Sequence, residues 1–203
     1  MNKDILLCGV GGQGTVLASK LIASAFMNCG ETVHSAETIG MAQRGGSVTS
    51  HVRIGEKAYS PLIPFHSADI ILAFEPAEAV RNLPYLKNNG VVIVNSVPVK
   101  PVTESLVNTG YDGKEMLEYL QKKCRNTVIV DAEEICREIG SAKVFNVAIL
   151  GVAVGIGKLG LSEDAVLAEI EKSVKERFRE MNYKAFTKGK QIGEDYEIKS
   201  VTD

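Results

Sequence analysis

The sequence predicts an α/β fold: an open, mainly parallel sheet with helices on both faces and an inserted β-hairpin. Three observations carry this expectation. A strand-like run at residues 4–10, DILLCGV, passes through a glycine-rich turn into an apolar, Ala-rich helix. Nearly continuous apolar runs recur between helical stretches, as strands buried on both faces require. Residues 47–54 alternate polar and apolar, the period of a strand with one buried face.

The elements follow in order. A first helix over residues 13–29 stops at Gly30, a C-cap residue. Residues 32–37 read as a short second strand and 38–46, TIGMAQRGG, as a loop. In the alternating strand, Val48, Val52 and Ile54 share one face, and Thr49, His51 and Arg53 share the other. Gly55-Glu56 turns the chain, so residues 57–60 are expected to return as the second arm of a hairpin. Residues 68–74, ADIILAF, form a central parallel strand. Glu75 and Pro76 open the next helix, with proline where its missing N–H costs nothing. Residues 90–95, GVVIVN, are the following strand. Pro98 and Pro101 keep 97–110 out of any central strand.

Asp112 and Glu115 are spaced as a capping box for a helix reaching Lys123. Residues 127–130 are another buried strand, and Asp131 with Glu134 repeats the capping pattern. The apolar run 144–157 is too short for the roughly 20 residues of a membrane helix. It is read as a buried helix over 142–158. Gly151 and Gly155 lie on one face of it, open to close approach by another element. Ser162 caps a helix over 163–179, with Leu167, Ile170, Val174 and Phe178 as its apolar stripe. A polar tail follows from Asn182, with Tyr183, Phe186 and Ile192 as spaced apolar anchors. The expectation is one domain over 1–203, with its C-terminal helix and tail from about 162.

Composition bounds the chemistry. The chain has 203 residues, is 45% hydrophobic and carries a net charge of −2, so neither nucleic acid nor an anionic membrane is an expected partner. Asn2, Lys3 and Asp4 run straight into the first strand, so no signal peptide is expected, and the four cysteines, Cys8, Cys29, Cys124 and Cys136, contain no CxxC pair. They read as free thiols in a reducing cytoplasm, with no metal site.

Two constellations stand out. Gly9, Gly11 and Gly14 satisfy G-x-G-x-x-G between a strand and a helix, a dinucleotide spacing with Glu37 placed to meet a ribose hydroxyl. Gly12 and Gln13 put an extra glycine and an amide into that turn. A nucleotide, another anion, a partner backbone and a purely structural turn all remain open. The second constellation is ETIGMAQRGG, where Arg44 and Gln43 stand beside Gly45 and Gly46 and present donors on a permissive backbone. Parallel strands bring the two loops to one carboxyl edge. His34, His51 and His66 have no metal or triad spacing, and no HExxH, GxSxG or Walker lysine is present. Glu75 is the best single acid near that edge. The frame of a site is therefore present without a self-sufficient catalytic set, which favours a subunit that completes a partner's site.

GVGGQGTVLASKLIA at residues 9–23 and GMAQRGGSVTSHVRIG at 40–55 together resemble the gamma-type subunit of the 2-oxoacid:ferredoxin oxidoreductases. Weaker echoes lie in ADIILAFEPAEAVR, NVAILG and NYKAFTKG. The AQRGG form is similar to the small (beta) subunit of the indolepyruvate branch. The resemblance implies oxidative decarboxylation of an arylpyruvate to an acyl-CoA, with electrons passed to ferredoxin. It places thiamine diphosphate, Mg and iron–sulfur clusters in a large partner subunit, none bound tightly here, with CoA a candidate shared substrate. The isolated chain is expected to self-associate through its partner face. The implied functional edge comprises Gly11, Gly12, Gln13, Gly14, Glu37, Gln43, Arg44, Gly45 and Gly46, with no acid or base assigned. The competing readings are a free-standing NAD(P)- or FAD-binding oxidoreductase and a module that binds an anionic metabolite through Arg44.

Overall fold

A computed structural model describes residues 1–39, 45–56, 58–100 and 110–196. Six strands form one sheet: β1 (Lys3–Val10), β2 (Val33–Ile39), β3 (Ser47–Ile54), β4 (Ala68–Ala73), β5 (Leu86–Asn95) and β6 (Thr127–Val130). The order across it is β2-β3-β1-β4-β5-β6. β1, β4, β5 and β6 run parallel, while β3 is antiparallel to both of its neighbours. The helices are α1 (Thr15–Asn28), α2 (Pro76–Asn82), α3 (Lys114–Lys123), α4 (Ala132–Ile139), α5 (Phe145–Gly155), α6 (Glu163–Ser173) and α7 (Glu176–Glu194). The expected α/β class, mainly parallel and covered on both faces, is what the chain adopts.

Alternation along the strands divides the core. Ile5, Leu7, Ile70, Leu72, Val91 and Ile93 face one side, against α1, α5, α6 and α7. Leu6, Cys8, Ile71, Ala73, Val92 and Val94 face the other, against α2 and α3. The strands therefore bury both faces, which explains their unbroken apolar runs.

The inserted hairpin exists, but its arms differ from those expected. β3 pairs with β2, from Val33↔Ile54 to Ile39↔Val48. Residues 58–60 form no strand, and Lys57 lies outside the described residues. The nearest turn signal, Gly55-Glu56, does not set the hairpin, because β2 offers β3 a full ladder. Arg53 and His51 instead pin the chain after β3. Arg53 donates to the Ser60 and Leu62 carbonyls, and His51 Nδ1 accepts from the Ile63 N–H. Ile63 is buried there, while Tyr59, Leu62 and Phe65 stand exposed.

Caps behave locally. Glu75, Asp131 and Ser162 each accept from an N–H in the first turn of their helices. The capping box at Asp112 does not form. Gly113, with φ 78°, is the N-cap of α3, and Asp112 instead accepts from the Lys114 N–H.

The C-terminal region also corrects the expectation. The single helix expected over 163–179 breaks at Val174-Lys175, and the supposed tail is helical to Glu194. Gly151 and Gly155 of α5 do admit a close neighbour, and that neighbour is α7, through its own Gly189 and Gly193. A Cβ on any of the four would approach the other helix's backbone closer than 3.0 Å.

Candidate functional site

β1 ends at Val10, and the chain turns through Gly11, Gly12, Gln13 and Gly14 into α1. Gly12 has φ 107° and Gly14 φ 82°, the left-handed region that glycine enters without steric cost. Gly14 is the N-cap of α1 and supplies no side chain to it, so the first-turn N–H groups are left for other acceptors.

Gln13 does not present its amide to the surroundings as the sequence suggested. Its Oε1 accepts from the Val10 N–H at 2.7 Å, and its Nε2 donates to the Phe74 carbonyl at 2.8 Å. Its own N–H donates to the Val10 carbonyl at 3.1 Å. Gln13 thus clasps the ends of β1 and β4. Gly9 lies under this clasp, where a Cβ would meet Gln13 Oε1 at 2.8 Å and Phe74 Cβ at 2.9 Å. The surface that the turn offers is therefore backbone.

The second loop does reach this edge. The Gly11 N–H donates to the Gly46 carbonyl at 2.8 Å, and the Gly45 N–H donates to the Gly11 carbonyl at 3.3 Å. The two glycine segments are thus bridged through their backbones. Gln43 and Arg44 lie outside the described residues. Glu37 is exposed on β2 and pairs in register with Ser50. β3 stands between β2 and β1, which removes Glu37 from the turn by two strand spacings, roughly 10 Å. The ribose contact expected of it requires adjacent first and second strands, and the strand order does not provide them.

Two clefts flank the turn. One, of about 450 Å3, is bordered by Val10, Gly11, Gly12, Thr15 and Val48. The other, of about 730 Å3, lies between Gly12–Gly14, Arg137 of α4, and Lys143, Phe145 and Asn146 at the start of α5. Asn146, the polar interruption of the apolar run, is buried and donates through Nδ2 to the Gly14 carbonyl at 3.4 Å. Cys136 also borders this cleft. Burial, then Glu133 and Asp131, push its thiol up to about 11, so it is not an activated nucleophile.

Buried acids complete the carboxyl edge. Glu75 is 2% exposed and Glu78 5% exposed. Glu75 Oε2 accepts from the Glu78 N–H at 3.0 Å, and its Oε1 accepts from the Tyr111 hydroxyl at 2.5 Å. Burial and the Glu75 bond raise the Tyr111 hydroxyl, which holds it protonated as a donor. Glu78 accepts from the Ser47 hydroxyl at 2.6 Å and pairs with Arg81. Burial, then Glu78 and Glu75, raise the Cys8 thiol well above its ordinary range. Glu78, Ser47 and Asn146 were not singled out from sequence. Only Asn146 carried a signal, as a lone amide inside an apolar helix.

His51 is buried far from the turn, with its pKa lowered by burial and then by Arg53. Among the described residues no three His, Cys, Asp or Glu side chains converge into a ligand set. Cys8, Cys124 and Cys136 are buried on different elements and Cys29 is exposed, so these thiols do not fit an iron–sulfur cluster. No helix among the described residues is long and apolar enough to cross a membrane.

Comparison with known proteins agrees with the resemblance read from the two glycine blocks. Residues 4–192 match the pyruvate ferredoxin/flavodoxin oxidoreductase family. The chain is 38% identical over 190 residues to the indolepyruvate oxidoreductase subunit IorB of Archaeoglobus fulgidus, covering 93% of this chain and 94% of that one. It is 36% identical over 188 residues to the Pyrococcus horikoshii protein of the same description, covering 92% and 93%. In fold it is similar to the gamma subunit of a keto/oxoacid ferredoxin oxidoreductase from Geobacter sulfurreducens. That match has a TM-score of 0.69 at 23% identity and covers 96% of this chain and 99% of that one.

Proposed function

The chain belongs to the pyruvate ferredoxin/flavodoxin oxidoreductase family, and on that premise we propose that it is the small subunit of a cytoplasmic arylpyruvate:ferredoxin oxidoreductase. Indolepyruvate is the foremost substrate, and the chain acts as one gamma-type domain. In this reading it completes the active site of a large subunit that holds thiamine diphosphate, Mg and iron–sulfur clusters. Thiamine diphosphate supplies, when bound there, the carbanion chemistry of decarboxylation. The product is an acyl-CoA, and the electrons leave to ferredoxin.

The observation that carries the reading is the backbone bridge between Gly11 and Gly45-Gly46 at the carboxyl edge. It makes a polar backbone surface on which the described residues Gly11, Gly12, Gly14, Gly45 and Gly46 carry no side-chain acid or base. Such a surface suits one wall of a shared cleft. The uncapped start of α1 favours a negative group of the substrate or of CoA against it. Gln13 keeps the turn in register with β4, and Asn146 holds Gly14 from below. Exposed Tyr59, Leu62 and Phe65 also support a chain that works within an assembly.

The test is reconstitution. Mixed with the large subunit, the chain should co-purify and restore arylpyruvate- and CoA-dependent reduction of a viologen dye, while neither subunit alone is active. Failure to associate, or activity of this chain alone, would end the reading. Calorimetric binding of NAD, NADP or FAD to the isolated chain would instead favour the free-standing nucleotide enzyme.

A further inference from the structure

We propose that Glu78 is a positioning residue for the glycine edge and acts through Ser47. Its consequence for activity rests on the function proposed above; its consequence for local order does not.

Glu78 sits in the first turn of α2, which Glu75 and Pro76 already start and cap. Glu75 caps the helix by accepting from the Glu78 N–H, so the cap does not use the Glu78 carboxylate. Removing a carboxylate from water is costly unless both oxygens find partners. Here both do. One oxygen pairs with Arg81, and the other accepts from Ser47 Oγ at 2.6 Å. The first bond is made within the helix. The second crosses from α2 to the first residue of β3.

Ser47 is the last rung of the β1–β3 ladder, opposite Val10. Beyond it, among the described residues, come the glycine contacts, Gly11 N–H to the Gly46 carbonyl and Gly45 N–H to the Gly11 carbonyl. Glycine loses more conformational freedom on ordering than any other residue, so an unanchored glycine bridge at a ladder end frays. A charge-assisted bond to the adjoining residue opposes that fraying. α2 in turn follows β4, which runs parallel to β1 with Cys8 opposite Ala73. Glu78 therefore ties the hairpin stem to the same strand end that Gln13 clasps from the other side. Two polar side chains, one from the turn and one from α2, fix one backbone surface.

Amide hydrogen exchange on the full chain tests the local claim. Ser47→Ala and Glu78→Gln should each speed exchange at Gly11 and Gly45 more than tenfold, while amides inside β4 and α1 keep their rates. Ser47→Thr, which keeps the hydroxyl, should restore protection. Unchanged exchange at both glycines, or equal acceleration throughout the sheet, would overturn the proposal. In the reconstituted complex, Ser47→Ala should raise the KM for indolepyruvate or CoA at least fivefold with kcat within twofold, and Ser47→Thr should reverse this. Wild-type KM values in Ser47→Ala alongside accelerated exchange would also overturn it. An inactive wild-type complex would defeat the functional reading and leave the exchange result to decide the positioning role.

Discussion

The first turn and the α5–α7 crossing both depend on glycine, for opposite reasons. At the crossing, Gly151, Gly155, Gly189 and Gly193 lie in regular helix, and a Cβ on any of them would press into the facing backbone. They supply room. At the turn, no atom of the described residues lies within 4 Å of where a Gly12 Cβ would stand, yet its φ is 107°. It supplies a conformation, and no described residue fills the space above it. A packing glycine is spent on the fold. A glycine in a left-handed turn that faces open space leaves backbone for something else to meet. The same residue type thus marks a structural seam at one end of the sequence and a candidate site at the other.

This contrast breaks most severely at the crossing. Gly189→Ala drives a methyl into the Ala148 carbonyl and forces the helices apart. The expected loss is about 3 kcal/mol, read as a fall in Tm of about 6–12 °C for a chain of this size. A shift under about 3 °C would mean that the crossing yields and that its glycines are not there for room. Gln13→Ala comes next. It leaves the Phe74 carbonyl and the Val10 N–H without their side-chain partners and should cost about 2 kcal/mol in a denaturant titration.

Gly12→Ala meets no atom of the described residues, only strain at a positive φ, and should cost about 1–2 kcal/mol. Activity of the reconstituted complex should nevertheless fall more than tenfold. Equal small effects on both would place this turn in the same class as the crossing. The smallest effect lies away from both regions. Burial, and then Arg53, hold the His51 pKa below its ordinary value, so the folded chain keeps the imidazole neutral. The unfolded chain takes up that proton below about pH 6.5. It then binds more protons than the folded state, so stability declines as pH drops below that value and levels off under the folded pKa. His51→Asn retains an acceptor for the Ile63 N–H and should flatten the Tm against pH between about 7.5 and 5.5. An unaltered slope would assign the dependence to another group.

Much of the fold was legible because its causes are local. β4 reads as a nearly continuous apolar run, β6 as a short buried strand, β3 as alternation, and Glu75, Asp131 and Ser162 as caps. α7 was missed because its buried stripe is made of small residues. Asn182, Ala185, Phe186, Gly189 and Gly193 follow helical spacing, but only Phe186 among them is large and apolar, so hydrophobic periodicity is nearly silent there. The break before α7, at Val174-Lys175, carries no glycine or proline to announce it. At the site, the two glycine blocks and their shared edge were legible. The inward Gln13, the buried Glu78 and the Ser47 bond were not, because a polar side chain's direction depends on which acceptor lies within reach.

Sequence alone determined that a strand would turn through glycine into a helix and that an alternating strand would follow a second glycine segment. Those outcomes depend on backbone preference and on side-chain period, which a few neighbouring residues set. Only the tertiary structure decided that β3 would lie between β1 and β2. Strand order is chosen by long-range pairing and by the burial of whole faces. That one placement carried Glu37 away from the first turn and put Gly45 and Gly46 beside Gly11. It turned a spacing that resembles a dinucleotide fingerprint into a two-loop backbone surface.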